Sequence, residues 1–306
     1  WECVEEKFDA VAVCNGHYSH PYVPEIPGLE NFQGARSHSH NYRSPEPFEN
    51  KKVVVVGASS SGEDIAQEVS KVAKSVVMCA RSYLRSEWGE PGSAPMGPRK
   101  NLYRWPTIAR VNADGGLVLQ DGSVVDDADH IMFCTGYKYA FPFLDEREGR
   151  GGVVSVDDNM IVSLYKHIFP PSHPTMAFIG IPAKVVPFPQ FEVQSRFMSK
   201  VWAGDISLPS KEEMLAEITH EARQKGSAGW PQKYFHVLGG MQFDYNDELS
   251  RLCGSELLPK WRRAMYEESG RRKRDQPYDY RDAPLPTIEE CEKMLQKQRA
   301  GSAARY

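Results

Sequence analysis

The chain has 306 residues, a formal net charge of −4, and 41% hydrophobic and 11% aromatic residues. That length suits one large or two ordinary domains, and the composition excludes a disordered chain. The mild acidity gives no reason to expect nucleic acid, no apolar run approaches the roughly 18 residues of a membrane span, and no signal-peptide pattern opens the sequence.

Trp1–Glu6 alternates in strand fashion, and Phe8–Cys14 reads as a second, nearly all-apolar strand that ends at the turn signal Asn15-Gly16. Pro21, Pro24, Pro27 and Gly28 then predict an extended connector to about Asn50, a natural crossing between domains.

Beyond it lies Lys52-Val53-Val54-Val55-Val56-Gly57-Ala58-Ser59-Ser60-Ser61-Gly62. The valine run predicts a strand buried on both faces, as in a parallel sheet, and Ile65, Val69, Val72 and Ala73 recur at helical spacing. Strand, glycine turn and helix together match the opening of a dinucleotide-binding unit, written here G-x-S-x-x-G. Gly57 permits the tight turn, and Gly62 lets helix and strand approach closely. The hydroxyls of Ser59, Ser60 and Ser61 and the start of the helix suit a pyrophosphate, with Ala58 completing the turn. A second strand, Ser75–Ala80, runs into Arg81, about 24 positions after Gly57. An acidic residue there would bind a ribose 2′-hydroxyl, whereas an arginine accommodates a 2′-phosphate. The expected cofactor is NADPH.

Glu87–Lys100 reads as a loop. Ile108–Val111, Leu117–Leu119 and Val124-Val125 are separated by Asp114-Gly115 and Asp121-Gly122 and predict a small meander. His130–Cys134 is a further strand, and Asp129, Cys134 and Gly136 repeat the relative spacing of Asp9, Cys14 and Gly16. The pair reads as the exit from one dinucleotide domain and the return to it. Met176–Gly180 is a strand; Phe191–Ala203, Ser210 onward, Tyr245–Cys253, Leu257–Glu267 and Thr287–Arg299 are helical. The basic run Arg271–Arg274 reads as a solvated loop. The six cysteines (Cys3, Cys14, Cys79, Cys134, Cys253, Cys291) form no C-x-x-C pair and read as free thiols in a reducing compartment, which gives a cytoplasmic expectation.

Phe32-Gln33-Gly34-Ala35-Arg36-Ser37-His38-Ser39-His40-Asn41-Tyr42 fits F-x-G-x-x-x-H-x-x-x-[YF]. It resembles the identifying motif of the flavin-containing monooxygenases. Baeyer–Villiger monooxygenases carry Trp followed by Pro or Asp where this chain has Tyr42-Arg43. Phe8–Tyr18, Phe133–Leu144, Leu164–Pro171 and Phe188–Phe197 resemble the same family, especially its plant S-oxygenating branch. The resemblance covers roughly residues 1–255 and implies an α/β fold: a doubly wound NADP domain inserted in an FAD-type Rossmann domain, with a helical C-terminal region. The expected divisions are 1–50 (end of the FAD-type domain and connector), 51–134 (NADP domain), 135–210 (return to the FAD-type domain) and 211–306 (helical region). His38 is expected to fix the domain hinge, and no metal is implied by His38 and His40.

The resemblance further implies that NADPH reduces FAD, that oxygen adds to the flavin, and that one oxygen atom passes to a small sulfide or amine. The family's first G-x-G-x-x-G, which holds FAD, and its active-site asparagine do not occur here, so the expectation is an N-terminally incomplete form with no catalytic residue named. The alternatives are a catalytically inactive NADP-binding module without flavin, and a Baeyer–Villiger or N-hydroxylating relative.

Overall fold

The computed structural model describes residues 4–81, 94–144, 153–157, 159–276 and 278–303. In chain order the strands begin with β1 (Val11–Val13), β2 (His20–Pro21), β3 (Ala35–His38) and β4 (Lys52–Val56). Helix α1 (Ser60–Ser70) leads to β5 (Ser75–Ala80), β6 (Leu102–Pro106), β7 (Ile108–Val111), β8 (Leu117–Leu119), β9 (Val124–Val125), β10 (His130–Phe133) and β11 (Tyr137–Lys138). Then come β12 (Ser155–Asp157), β13 (Met160–Val162), β14 (Met176–Phe178) and five helices: α2 (Pro187–Trp202), α3 (Lys211–Ser227), α4 (Gln242–Leu252), α5 (Trp261–Asp275) and α6 (Ile288–Ala303).

Two units divide the chain. One comprises Tyr18–Tyr137 with Arg272–Ala283; the other comprises Trp1–His17, Lys138–Arg271 and Pro284–Tyr306.

In the first unit five strands form a parallel sheet in the order β3-β10-β4-β5-β6. Side chains alternate across a strand, so the four valines of β4 serve both faces. Val53 and Val55 pack with Ile65, Ala66 and Val69 of α1, while Val54 and Val56 pack with Ile108, Leu117, Leu119 and Val125 of the β7-β8-β9 meander. All four are at most 5% exposed, which is why the run carries no polar residue. The meander pairs antiparallel around the two Asp-Gly turns, as expected.

The connector is not merely extended. Its residues Ala35–His38 form β3, an edge strand parallel to β10. Likewise β6, unforeseen from the sequence, closes the other edge.

In the second unit β1 pairs parallel with β14, and β12 pairs antiparallel with β13. Phe8–Cys14 yields only the three residues of β1, Phe8 being 70% exposed, and residues 4–6 form no strand. Helices α2, α3 and α4 enclose Phe169, Phe197, Met214, Ile218 and Leu249. Ser210 starts α3 with a reciprocal capping box to Glu213, an arrangement that contributes about 1 kcal/mol. The basic run expected to be a loop instead lies in α5, and Lys273 faces carboxylates of α1. Cys79, Cys134, Cys253 and Cys291 are buried free thiols, and Cys14 is exposed. Residues 87–93 of the expected loop and Cys3 lie outside the described residues.

Candidate functional site

Gly57 leaves β4 at φ +112°, in a region that side chains rarely tolerate, and its N–H donates to the Cys79 carbonyl at 2.8 Å. A Cβ there would lie 2.5 Å from the Cys134 carbonyl oxygen. At Gly62 a Cβ would lie 1.9 Å from the Gly57 carbonyl oxygen. Helix and strand therefore touch backbone to backbone, and both glycines are sterically required.

The turn leaves an exposed polar face. Ser59, Ser60 and Ser61 are exposed, and Ser59 sits as the extended residue before α1 without a side-chain cap. Its carbonyl accepts from Glu63 at 2.9 Å, while the first N–H groups of the helix have no intrahelical acceptor. Such a terminus attracts anions. Ala58 is half-buried and packs on the core beneath the turn. Val56 lies opposite Cys79 in the parallel β4–β5 pair, so the turn and Arg81, one residue past the end of β5, leave from the same edge of the sheet. Arg81 is exposed. Burial pushes the thiols of Cys79 and Cys134 up to about 12, so neither is a nucleophile at neutral pH.

The motif at 32–42 supports this turn from within the same unit. Phe32 is buried among Val54, Ile131 and Phe133, and a Cβ at Gly34 would lie 2.6 Å from the Asp129 carbonyl oxygen. His38 is buried; its Nδ1 accepts from the His40 N–H at 3.0 Å, and its ring stands edge-on to Tyr137 at 5.1 Å. Burial lowers the His38 pKa, leaving the ring neutral. Tyr42 donates to Glu68 of α1 at 2.8 Å. These contacts tie β3 to β10 and α1, a brace inside one unit.

A buried polar network occupies the other unit. His167 Nδ1 and His236 Nδ1 are 2.9 Å apart, and His236 Nε2 is 3.1 Å from the Ile161 nitrogen. Glu221 lies 3.4 Å from His167 Nε2 and 2.8 Å from Lys225. Burial raises the Glu221 carboxyl, but its bonds to His167 and Lys225 outweigh that and bring it down to about 2. Burial, reinforced by His167, holds His236 well below the ordinary histidine value. Tyr245 donates to the Lys166 carbonyl at 2.7 Å and accepts from Gln194 at 2.8 Å, and Gln194 accepts from the Gly180 N–H at 3.0 Å. Lys166 and His167 both have positive φ, at 51° and 55°, and side-chain bonds to Glu248 and His236 hold them there. Sequence reasoning found none of these partners. Among the described residues no group of three His, Cys, Asp or Glu could hold a metal, and no helix is long and apolar enough to cross a membrane.

A model of the flavin-binding monooxygenase-like family matches residues 3–88 and 106–259. The chain belongs to that family. It is 44% identical over 279 residues to flavin-containing monooxygenase FMO GS-OX-like 3 of Arabidopsis thaliana, covering 91% of this chain and 60% of the relative. The structure of S-allyl-L-cysteine S-oxygenase from Allium sativum superposes with a TM-score of 0.82 at 41% identity, covering 98% of this chain and 65% of that one. Tmm from Pelagibacter superposes at 0.71 with 27% identity, covering 90% of this chain and 59% of that one. The chain thus spans about 60% of the length of the curated relatives it matches. The matched residues include both the F-x-G-x-x-x-H-x-x-x-Y brace and the glycine turn.

Proposed function

We propose that the chain binds NADPH at the turn Gly57, Ala58, Ser59, Ser60, Ser61, Gly62, with Arg81 pairing with the 2′-phosphate. In this reading it serves NADPH- and FAD-dependent transfer of one oxygen atom from O2 to a small sulfide or amine. The carrying observation is the backbone contact of 57 with 62: it opens the start of α1 to a pyrophosphate on the edge where Arg81 stands. The serine hydroxyls and helix N–H groups bind the pyrophosphate, and the guanidinium selects for the extra phosphate. Residues 51–134 form the NADP unit of this assignment.

Sulfur is favoured over nitrogen because the garlic neighbour is by name an S-oxygenase. FAD, when bound, supplies the oxygen-activating chemistry. The 306-residue chain is expected to bind NADPH in preference to NADH. A fluorescence titration with both nucleotides tests this. A chain that ignores NADPH, or that binds NADH as tightly, overturns the assignment.

A further inference from the structure

Helix α1 places two carboxylates directly behind the serine turn. Glu63 and Asp64 are the fourth and fifth residues of the helix, with side chains only 8% and 22% exposed. A dinucleotide with a 2′-phosphate is a polyanion. Two negative charges, one buried and one half-buried, one turn away oppose it, against the attraction of the helix dipole.

The segment Arg272–Ala283 supplies the opposite charge. It groups with the Tyr18–Tyr137 unit although the chain on either side of it does not. Lys273 Nζ lies 3.2 Å from Asp64 and 3.9 Å from Glu63. Arg281 Nη2 donates to Asp64 Oδ2 at 2.6 Å, and Tyr280 donates to Asp64 Oδ1 at 3.2 Å. The Tyr280 ring keeps both cations in place, with Lys273 Nζ 5.5 Å and Arg281 Cζ 5.2 Å from its centroid. The hydroxyl of Tyr278 reaches the Gly97 backbone, which fastens the same segment to the approach to β6. This strap lies beyond residue 259, where the family match ends.

We propose that Lys273, Tyr280 and Arg281 are positioning residues for nucleotide binding: Lys273 and Arg281, held by the Tyr280 ring, neutralise Glu63 and Asp64 and so keep the start of α1 open to a phosphate-bearing cofactor. This inference rests on the NADPH assignment above. It assigns the strap an electrostatic role in affinity, exerted through Asp64, in addition to any role in holding the helix.

The test is the NADPH dissociation constant of the 306-residue chain and three variants at low and high salt, with melting curves alongside. Arg281→Ala, at an exposed side chain, is expected to fold and to bind roughly 10-fold more weakly at low salt. High salt should narrow that gap, because screening weakens the exposed repulsion. Asp64→Asn alone should bind at least as tightly as the parent. The double variant Asp64→Asn with Arg281→Ala should regain most of the lost affinity, which a merely structural strap would not allow. Failure of the unaltered chain to bind NADPH overturns the nucleotide assignment and this inference together. Normal binding by Arg281→Ala, or a double variant as weak as the single, overturns this inference and leaves the assignment standing.

Discussion

In the Tyr18–Tyr137 unit, β4 buries four valines between α1 and a meander, and its backbone polar groups are spent on two parallel neighbours. The other unit buries His167, His236, Gln194 and Tyr245 on connections and helices, where side chains satisfy main-chain atoms such as the Gly180 and Ile161 nitrogens. Regular strands need no polar side chain inside them, whereas irregular backbone does. Strand β4 is thus sensitive to volume and the histidine network of the other unit to charge.

Volume gives the largest expected effect. Gly62→Val drives a branched side chain into the Gly57 carbonyl oxygen and should cost about 3 kcal/mol or more, with loss of NADPH binding. Urea unfolding measures it. A variant that unfolds and binds like the parent would refute the close packing of turn and helix.

Next in size is Arg81→Ala. A charge-assisted contact is worth about 1.5–3 kcal/mol, so NADPH should bind roughly 10- to 150-fold more weakly while NADH is nearly unaffected. Equal losses for both nucleotides would show that another residue reads the 2′-phosphate.

Charge should govern the second unit's response to pH. His236 is held neutral in the fold, so its folded pKa lies below the unfolded value near 6.5. Below that value the unfolded chain takes up a proton that the folded chain refuses, and stability falls with pH by at most about 1.4 kcal/mol per unit. Glu221 acts in a lower window: its folded carboxyl at about 2 gives stability present above 4.5 and lost as pH falls towards 2. Denaturation at pH 7.5 and 5.5 should show the first loss, and His236→Gln should flatten it. An unchanged slope in that variant would assign the protons elsewhere.

Tyr42→Phe, which removes the hydroxyl bonded to Glu68, is expected to cost the least, below about 1.5 kcal/mol. A larger loss in thermal melts would mean that the brace holds α1 more firmly than one hydrogen bond allows.

The same contrast decides what the sequence disclosed. Consecutive valines and the Asp-Gly turns are local signals, and β4, α1, β5 and the meander follow from them. The edge strands were hidden because Ala35-Arg36-Ser37-His38 has no apolar pattern and Leu102–Pro106 mixes an arginine and a proline into its run. An edge strand needs only one neighbour, so it need not look like the interior. The turn at 57–62 was visible as a motif. Its carboxylate partners were not, because Asp64 meets Arg281 across 217 residues. The histidine pair was hidden similarly, its members lying 69 positions apart. The run at 271–274 looked like a loop among breakers, whereas α5 continues through it and Lys273 finds the α1 carboxylates.

Strand β3 bears on the order of assembly. Ser37 pairs with Met132 across 95 residues, so closing the brace at 32–42 onto β10 closes a long loop. As an edge strand with one neighbour, β3 is expected to open without melting β4. The amides of Ala35–His38 should accordingly exchange with deuterium ahead of those of Val53–Val56, through a partial opening that frees the motif while the valine strand stays paired.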